Sequence, residues 1–229
     1  MPQLLEPEPL SALAEVRDLF ASERAWLAAR AERGAGGTRI WIARDPEIVP
    51  DPAWIALAAS APGKIAGPVT AERAALPFLD GSVARLVVQH GLEDEAVPTA
   101  FLGECVRVLA PGGELVLFSF DPMSLWHPWL LAQARRRHEV LRLRLGSRLM
   151  ALVRRLGLSD VEFHAIGPRW PGGRRGEGAP ASGGSLRGAY AICAIKRVAS
   201  VIVLRPRAVP EAMSANGMLP ASQRVGASA

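Results

Sequence analysis

The apolar and polar positions between residues 84 and 126 fall into two regimes. Leu86-Val87-Val88 and residues 115–120 are short continuous apolar runs. Between them, Phe101, Leu102, Cys105, Val106 and Leu109 recur at helical spacing while Glu104 and Arg107 turn outward. Two Val- and Leu-rich runs joined by one amphipathic helix predict a βαβ unit with both strands buried in a parallel sheet. Pro98 suits the first turn of that helix, and Pro111-Gly112-Gly113 supplies its stop. Such crossovers are right-handed, and their sheets bind ligands outside the carboxyl ends of the strands. The functional rim is therefore expected at residues 89–93 and 121–126.

The flanking patterns extend this unit. Over residues 10–33, Leu13, Phe20 and Leu27 recur every seventh residue, with Val16 and Trp26 widening the stripe, which predicts an amphipathic helix ended by Gly34-Ala35-Gly36-Gly37. Residues 38–43 read as a strand. Asp51-Pro52 ahead of residues 53–58 supplies an N-cap and a first-turn proline, so a short helix is expected there. Two helical pieces follow residue 126, the first closed by Arg135-Arg136-Arg137-His138. The second is capped by Ser147, carries Leu149, Leu152, Val153 and Leu156 on one face, and ends at Gly157. Residues 161–166 alternate as a strand. Residues 188–203 form an apolar strand expected to run antiparallel beside 115–120, after a loop over 167–187 rich in Gly, Pro, Ser and Arg. The organisation expected is an N-terminal helical segment over 1–37, one α/β domain over 38–207 and a disordered tail over 208–229.

Three stretches carry a family resemblance. Leu76-Pro77-Phe78-Leu79-Asp80-Gly81-Ser82, then Leu86-Val87-Val88-Gln89-His90-Gly91-Leu92-Glu93, then Arg107-Val108-Leu109-Ala110-Pro111-Gly112-Gly113-Glu114-Leu115 resemble the class I S-adenosylmethionine-dependent methyltransferases. Within these the chain is most similar to the ubiquinone-biosynthesis-like, type 11 group. Phe120-Asp121-Pro122-Met123-Ser124-Leu125-Trp126 stands where one branch carries Phe-Asn-Pro-x-Ser-Leu-Trp, and residues 188–198 resemble that branch's last strand. The resemblance implies a Rossmann-like α/β fold, mostly parallel with one antiparallel strand.

It also implies a site. The family's first strand runs into a Gly-x-Gly-x-Gly turn against the methionine end of the cofactor. Here residues 38–43 are followed by Arg44-Asp45-Pro46-Glu47-Ile48-Val49-Pro50-Asp51-Pro52, without a glycine and with three prolines. In a second register residues 40–45 are the second strand, Asp45 is the acid that grips the ribose hydroxyls, and 51–60 is the helix after it. In either register the front half of the fold is abbreviated. Glu72 stands four residues before Leu76-Pro77-Phe78, where the family's acid accepts a hydrogen bond from the adenine amino group. The resemblance implies cofactor contacts at Glu72, Leu76, Pro77, Phe78, Gln89 and His90, with His90 as the candidate catalytic base.

Composition narrows the classes. With 49% hydrophobic residues the chain can bury a sizeable core, and no apolar run approaches a membrane span. The net charge of +5 allows attraction to anions, yet no interleaved aromatic and basic pattern marks a nucleic-acid surface. Cys105 and Cys193 lack the spacing of a metal site or redox pair and read as buried small side chains. A cytoplasmic methyltransferase is expected, using S-adenosylmethionine on a small-molecule acceptor. The alternative is a catalytically degenerate fold kept for binding a partner or, as a homodimer, a second copy of itself.

Overall fold

The computed structural model describes residues 8–30, 36–44, 52–173 and 186–197. A 3-10 turn, Leu10–Ala12, leads into α1, Ala14–Ala28. The strands are β1, Thr38–Ala43; β2, Ile55–Ala61; β3, Lys64–Ala66; β4, Ala71–Glu72; β5, Val83–Gln89; β6, Leu109–Phe120; β7, Leu158–Ile166; and β8, Ala189–Lys196. The other helices are α2, Pro98–Val108; α3, Trp126–Arg136; and α4, Gly146–Arg155.

All eight strands join one sheet in the order β4-β3-β2-β1-β5-β6-β8-β7. The four central strands, β2, β1, β5 and β6, are mutually parallel. β8 runs antiparallel between β6 and β7, as expected of the strand over 188–203, of which residues 188–197 are described. The abbreviated front half takes the form of a hairpin, in which the short β3 turns back along β2 and β4 returns along β3. No helix lies between β2 and β5.

Residues 53–58 depart from expectation: they enter β2, not a helix. Ile55, Leu57 and Ala59 face the same apolar core, a period of two hidden by the alanines between them. Pairing of β2 with β1 overrides the helical propensity of the alanines. The helix over 51–60 of the second register is absent in the same way, so this departure bears on both registers alike, and Asp45 itself lies outside the described residues. The loop expected over 167–187 lies partly, and the tail over 208–229 wholly, outside them.

The two faces of the sheet are covered differently. On one, Ile42, Leu57, Val88, Leu117 and Ile192 pack with Phe101, Leu102 and Cys105 of α2 and with Leu149 and Val153 of α4. On the other, Trp41, Val87, Val116 and Phe118 pack with Leu27 of α1. Arg30, just past α1, fixes that helix by pairing with Glu162 at 2.7 Å and Glu114 at 3.6 Å. Lys196 ends β8 by donating to the carbonyls of Val106, Arg107 and Leu109, closing the C-terminus of α2. Trp126 is fully buried and donates Nε1–H to Pro168 O, and a Cβ at Gly188 would stand 2.9 Å from its ring. That close approach requires glycine where the last strand begins. Cys105 and Cys193 are free and buried, and burial pushes the Cys193 thiol up to about 12.

Candidate functional site

β1 is followed by β2 on one side of it, and β5 and β6 stand on the other, so the strand order reverses between β1 and β5. The crevice outside the carboxyl ends at such a switch point is the usual ligand site of an open α/β sheet. Here the residues at those ends are Ala43 and Arg44 after β1, and Gln89 and His90 after β5.

His90 is 1% exposed and sits at φ 52°, the left-handed turn that lifts the chain out of β5. Its Nε2 is 2.9 Å from Oε1 of Glu23 on α1, and its Nδ1 is 3.0 Å from Oε1 of Glu93. Phe20 and Phe120 hold the ring, with centroids 4.6 and 4.0 Å away. Burial alone would lower the pKa of the ring, but the charges of Glu23 and Glu93 outweigh it and raise the pKa to about 9. Burial likewise pushes Glu93 up, but the His90 charge wins and holds this carboxyl at about 2. The group is therefore an imidazolium donating from both nitrogens to two carboxylates. Gln89 Nε2 also donates to Glu23 Oε2 at 2.7 Å, and Ser119 Oγ to Glu93 Oε1 at 2.9 Å. A proton-accepting role for His90 would require a neutral ring and the loss of one of these hydrogen bonds.

The segment after β6 roofs this crevice. Asp121 to Trp126 turns over the end of β6, with Met123 N–H and the Ser124 hydroxyl bonded back to Asp121. α3 then crosses toward β1, where Glu139 pairs with Arg44 at 2.7 Å and accepts from Leu10 N–H. The connector to α4 lies on the loop after β5: Arg142 N–H donates to Glu93 O at 2.7 Å, and the Arg144 guanidinium donates to Leu92 O and Glu95 O.

A cleft of about 260 Å³ opens on the same rim between the β3–β4 hairpin and the start of α2, lined by Lys64, Glu72, Arg73, Glu95, Val97 and Phe101 among others. Glu72 is exposed there, opposite Lys64 in the hairpin register. Arg73 is 1% exposed, lies over the Phe101 ring, and donates to Lys64 O, Gly91 O, both carboxylate oxygens of Asp94, and Glu95. One buried guanidinium thus ties the hairpin to the loop after β5.

The predicted residues fall in three places. Gln89 and His90 meet at the switch point, and Glu72 lies at the cleft. Leu76, Pro77 and Phe78 belong to the opposite end of the sheet. Leu76 N–H donates to Glu104, and Arg107 donates to Leu76 O, Phe78 O and Asp80. Arg107 lies in the last turn of α2, which descends to the amino end of β6. Glu23, Arg73 and Glu139 went unforeseen. Glu23 had a signal, since it occupies the apolar stripe of α1 with Val16, Leu19, Phe20 and Leu27. A charge on a core face implies a buried partner.

Comparison with known proteins finds likenesses that include part of this rim. Residues 49–117 match the family described as Methyltransferase domain. The match runs from just before β2 into β6 and so contains the cleft, Arg73, His90 and Glu93. Over 52 residues the chain is 44% identical to a demethylmenaquinone methyltransferase of Thermus thermophilus, which is 23% of this chain and 24% of that protein's length. Among solved structures, a SAM-dependent methyltransferase from Thermotoga maritima superposes with a TM-score of 0.51 at 19% identity, covering 56% of this chain and 62% of that one. A chain from the complex of the Haloferax volcanii Trm112 methyltransferase activator with its methyltransferase partner superposes with a TM-score of 0.51 at 13% identity, covering 80% and 91%. At these identities the structural likeness shows the fold alone, a mostly parallel Rossmann-like α/β sheet like that of these methyltransferases. Among the described residues no group of histidine, cysteine and acidic side chains has the arrangement of a metal site, and no helix is long and apolar enough to cross a membrane.

Proposed function

We propose that the chain binds S-adenosylmethionine at its carboxyl-end rim and transfers a methyl group from it to a small-molecule acceptor. The cleft between the β3–β4 hairpin and α2 carries this reading, because it lies on the rim and inside the segment that matches the Methyltransferase domain. Its lining fits the adenosine end of such a cofactor. Val97 and Phe101 offer apolar surface, Glu72 offers a carboxylate for an exocyclic amino group, and Arg73 holds a fixed positive charge beside them. When bound, this cofactor supplies a sulfonium-activated methyl group that an aligned nucleophile can take, with no covalent enzyme intermediate.

The share of the protein is to bind, orient and exclude water. Glu72 accepts the hydrogen bond of the adenine. Arg73 keeps the hairpin and the loop after β5 at a fixed spacing, and so keeps the cleft open to one shape. His90 acts by position: pinned between Glu23 and Glu93, it sets the path of Gly91 and Leu92 into that loop. The charged ring has no free lone pair, so a proton released by the acceptor passes to water. Gln89 orients Glu23, while Leu76, Pro77 and Phe78 steady the entry to β5 from the far end of the sheet.

The closed packing around Glu23, His90 and Glu93 favours a second reading, in which the fold is kept for binding and no transfer occurs. Calorimetric titration with S-adenosylmethionine and S-adenosylhomocysteine separates the two. Micromolar binding is expected, weakened about tenfold or more in Glu72→Ala by loss of a hydrogen bond to a charged acceptor. Absence of heat at millimolar cofactor would overturn the transferase reading and leave the second.

A further inference from the structure

The rim also carries a surface that neither the core nor the cleft accounts for. Residues 126–157 contain eight arginines and a single acid, Glu139, whose carboxylate is taken by Arg44 and Leu10 N–H. Arg135, Arg136, Arg142 and Arg148 are exposed, and none forms an ion pair among the described residues. All four lie at the carboxyl end of the sheet. Arg135 and Arg136 are in the last turn of α3, shortly before Glu139, the partner of Arg44; Arg142 rests on the loop after β5; and Arg148 is in the first turn of α4, just past Arg144. A cation in the first turn of a helix works against the helix dipole, so Arg148 is not placed there for the stability of α4. The described acids of this rim are largely spent, Glu93 on His90, Asp94 and Glu95 on Arg73 and Glu139 on Arg44, leaving Glu72 at the cleft, Asp121 under Met123 and the exposed Glu8, whose carbonyl Arg137 holds.

Apolar side chains stand among these arginines. Six of the nine large exposed hydrophobic residues described, Val97, Met123, Leu125, Val140, Trp170 and Leu186, each at least 38% exposed, lie in connections at this rim, Val140 between α3 and α4 and the others in connections that leave or enter strand ends. Chance would have scattered them over both ends of the sheet. Aliphatic side chains and a tryptophan set in a ring of unpaired arginines match an interface between lipid headgroups and acyl chains. A nucleic-acid surface would instead pair its arginines with several aromatic rings for stacking, and among the described residues Trp170 is the one large exposed aromatic side chain at this rim.

We propose that this rim docks on the surface of an anionic phospholipid bilayer, with Met123, Leu125, Val140 and Trp170 entering the headgroup region and Arg135, Arg136, Arg142 and Arg148 on the phosphates. The inference rests on the surface alone and stands apart from the cofactor reading.

Cosedimentation of the full chain with vesicles tests it, comparing pure phosphatidylcholine with phosphatidylcholine containing phosphatidylglycerol. Binding is expected only to the anionic vesicles and should weaken as salt rises. The quadruple variant R135Q/R136Q/R142Q/R148Q should lose at least about tenfold in partitioning. M123S/V140S should lose several-fold, more visibly at high salt, where the apolar contribution remains. R154Q/R155Q, altered at the opposite end of α4, should bind as the parent does, and a thermal melt of each variant reports its folding. No binding to anionic vesicles overturns the proposal. So does an R154Q/R155Q loss equal to that of the quadruple variant, or binding to a DNA or RNA oligonucleotide tighter than to the vesicles.

Discussion

Replacing His90 with alanine should destabilise the protein by about 3–5 kcal/mol, because truncating one member of a buried ion group leaves the other charges unpaired. Among the described residues the imidazolium is the only cation at hydrogen-bond distance from Glu23 and Glu93, and all three side chains are fully buried. Urea denaturation at pH 6 measures the loss. The same ring predicts a pH profile. Its pKa is raised from the ordinary 6.5 to about 9, so its stabilisation is fully present below pH 6.5 and is lost as pH rises through 9. The Glu93 carboxyl is lowered from 4.5 to about 2, so its stabilisation is present above pH 4.5 and is lost as pH falls toward 2. Parent stability should therefore be flat between about pH 4.5 and 6.5 and decline on both sides. In His90→Ala the alkaline decline should disappear. A variant as stable as the parent, with the same alkaline decline, would show that the bridge between α1 and β5 contributes nothing.

Arg73→Met should cost about 2–4 kcal/mol, since the methionine fills much of the space but leaves the Gly91 carbonyl and two carboxylates without their donor. Asp94 and Glu95 keep 13% and 15% side-chain exposure and can turn toward water, which places the cost below that of His90→Ala. The effect should also be local. Hydrogen exchange at residues 91–95 should accelerate, because Arg73 is the tie between that loop and the β3–β4 hairpin. Cofactor affinity should fall with it, as the cleft loses its fixed width. Unchanged exchange in this loop would mean that the hydrogen bonds from Arg142 N–H and the Arg144 guanidinium hold it unaided.

The legible parts of the chain were those where one signal ran long enough to repeat. The β5-α2-β6 unit is announced by two continuous apolar runs and a helical stripe, and its strand–helix–strand order forms as read, although α2 ends at Val108 and both Leu109 of the stripe and Pro111-Gly112-Gly113, read as the stop, lie in β6. β2 was misread because Asp51-Pro52 and the following alanines imitate a helix start, while its true period of two rests on Ile55, Leu57 and Ala59 alone. The β3–β4 hairpin, with strands of three and two residues, is too short to show any period. Within the site, the motif residues Gln89 and His90 were found, yet the partners that fix their chemistry come from distant parts of the chain. Arg73 looks like any loop arginine until the hairpin folds it against Asp94, 21 positions on. Glu23 could have been noticed as a carboxylate on an apolar stripe, although nothing local names His90, 67 residues away, as its partner. Leu76-Pro77-Phe78 marks the family segment clearly, and the role of these residues follows from Glu104 and Arg107, which lie on another element.

The most direct test of the proposed function is a crystal structure of the protein grown with S-adenosylhomocysteine. The expected result is the adenine in the cleft between the β3–β4 hairpin and α2, its amino group on the Glu72 carboxylate, and the Glu23–His90–Glu93 bridge unbroken beside it. Adenine bound away from Glu72, or a cleft that stays without ligand at saturating concentration, would contradict the assignment of this rim as a cofactor site.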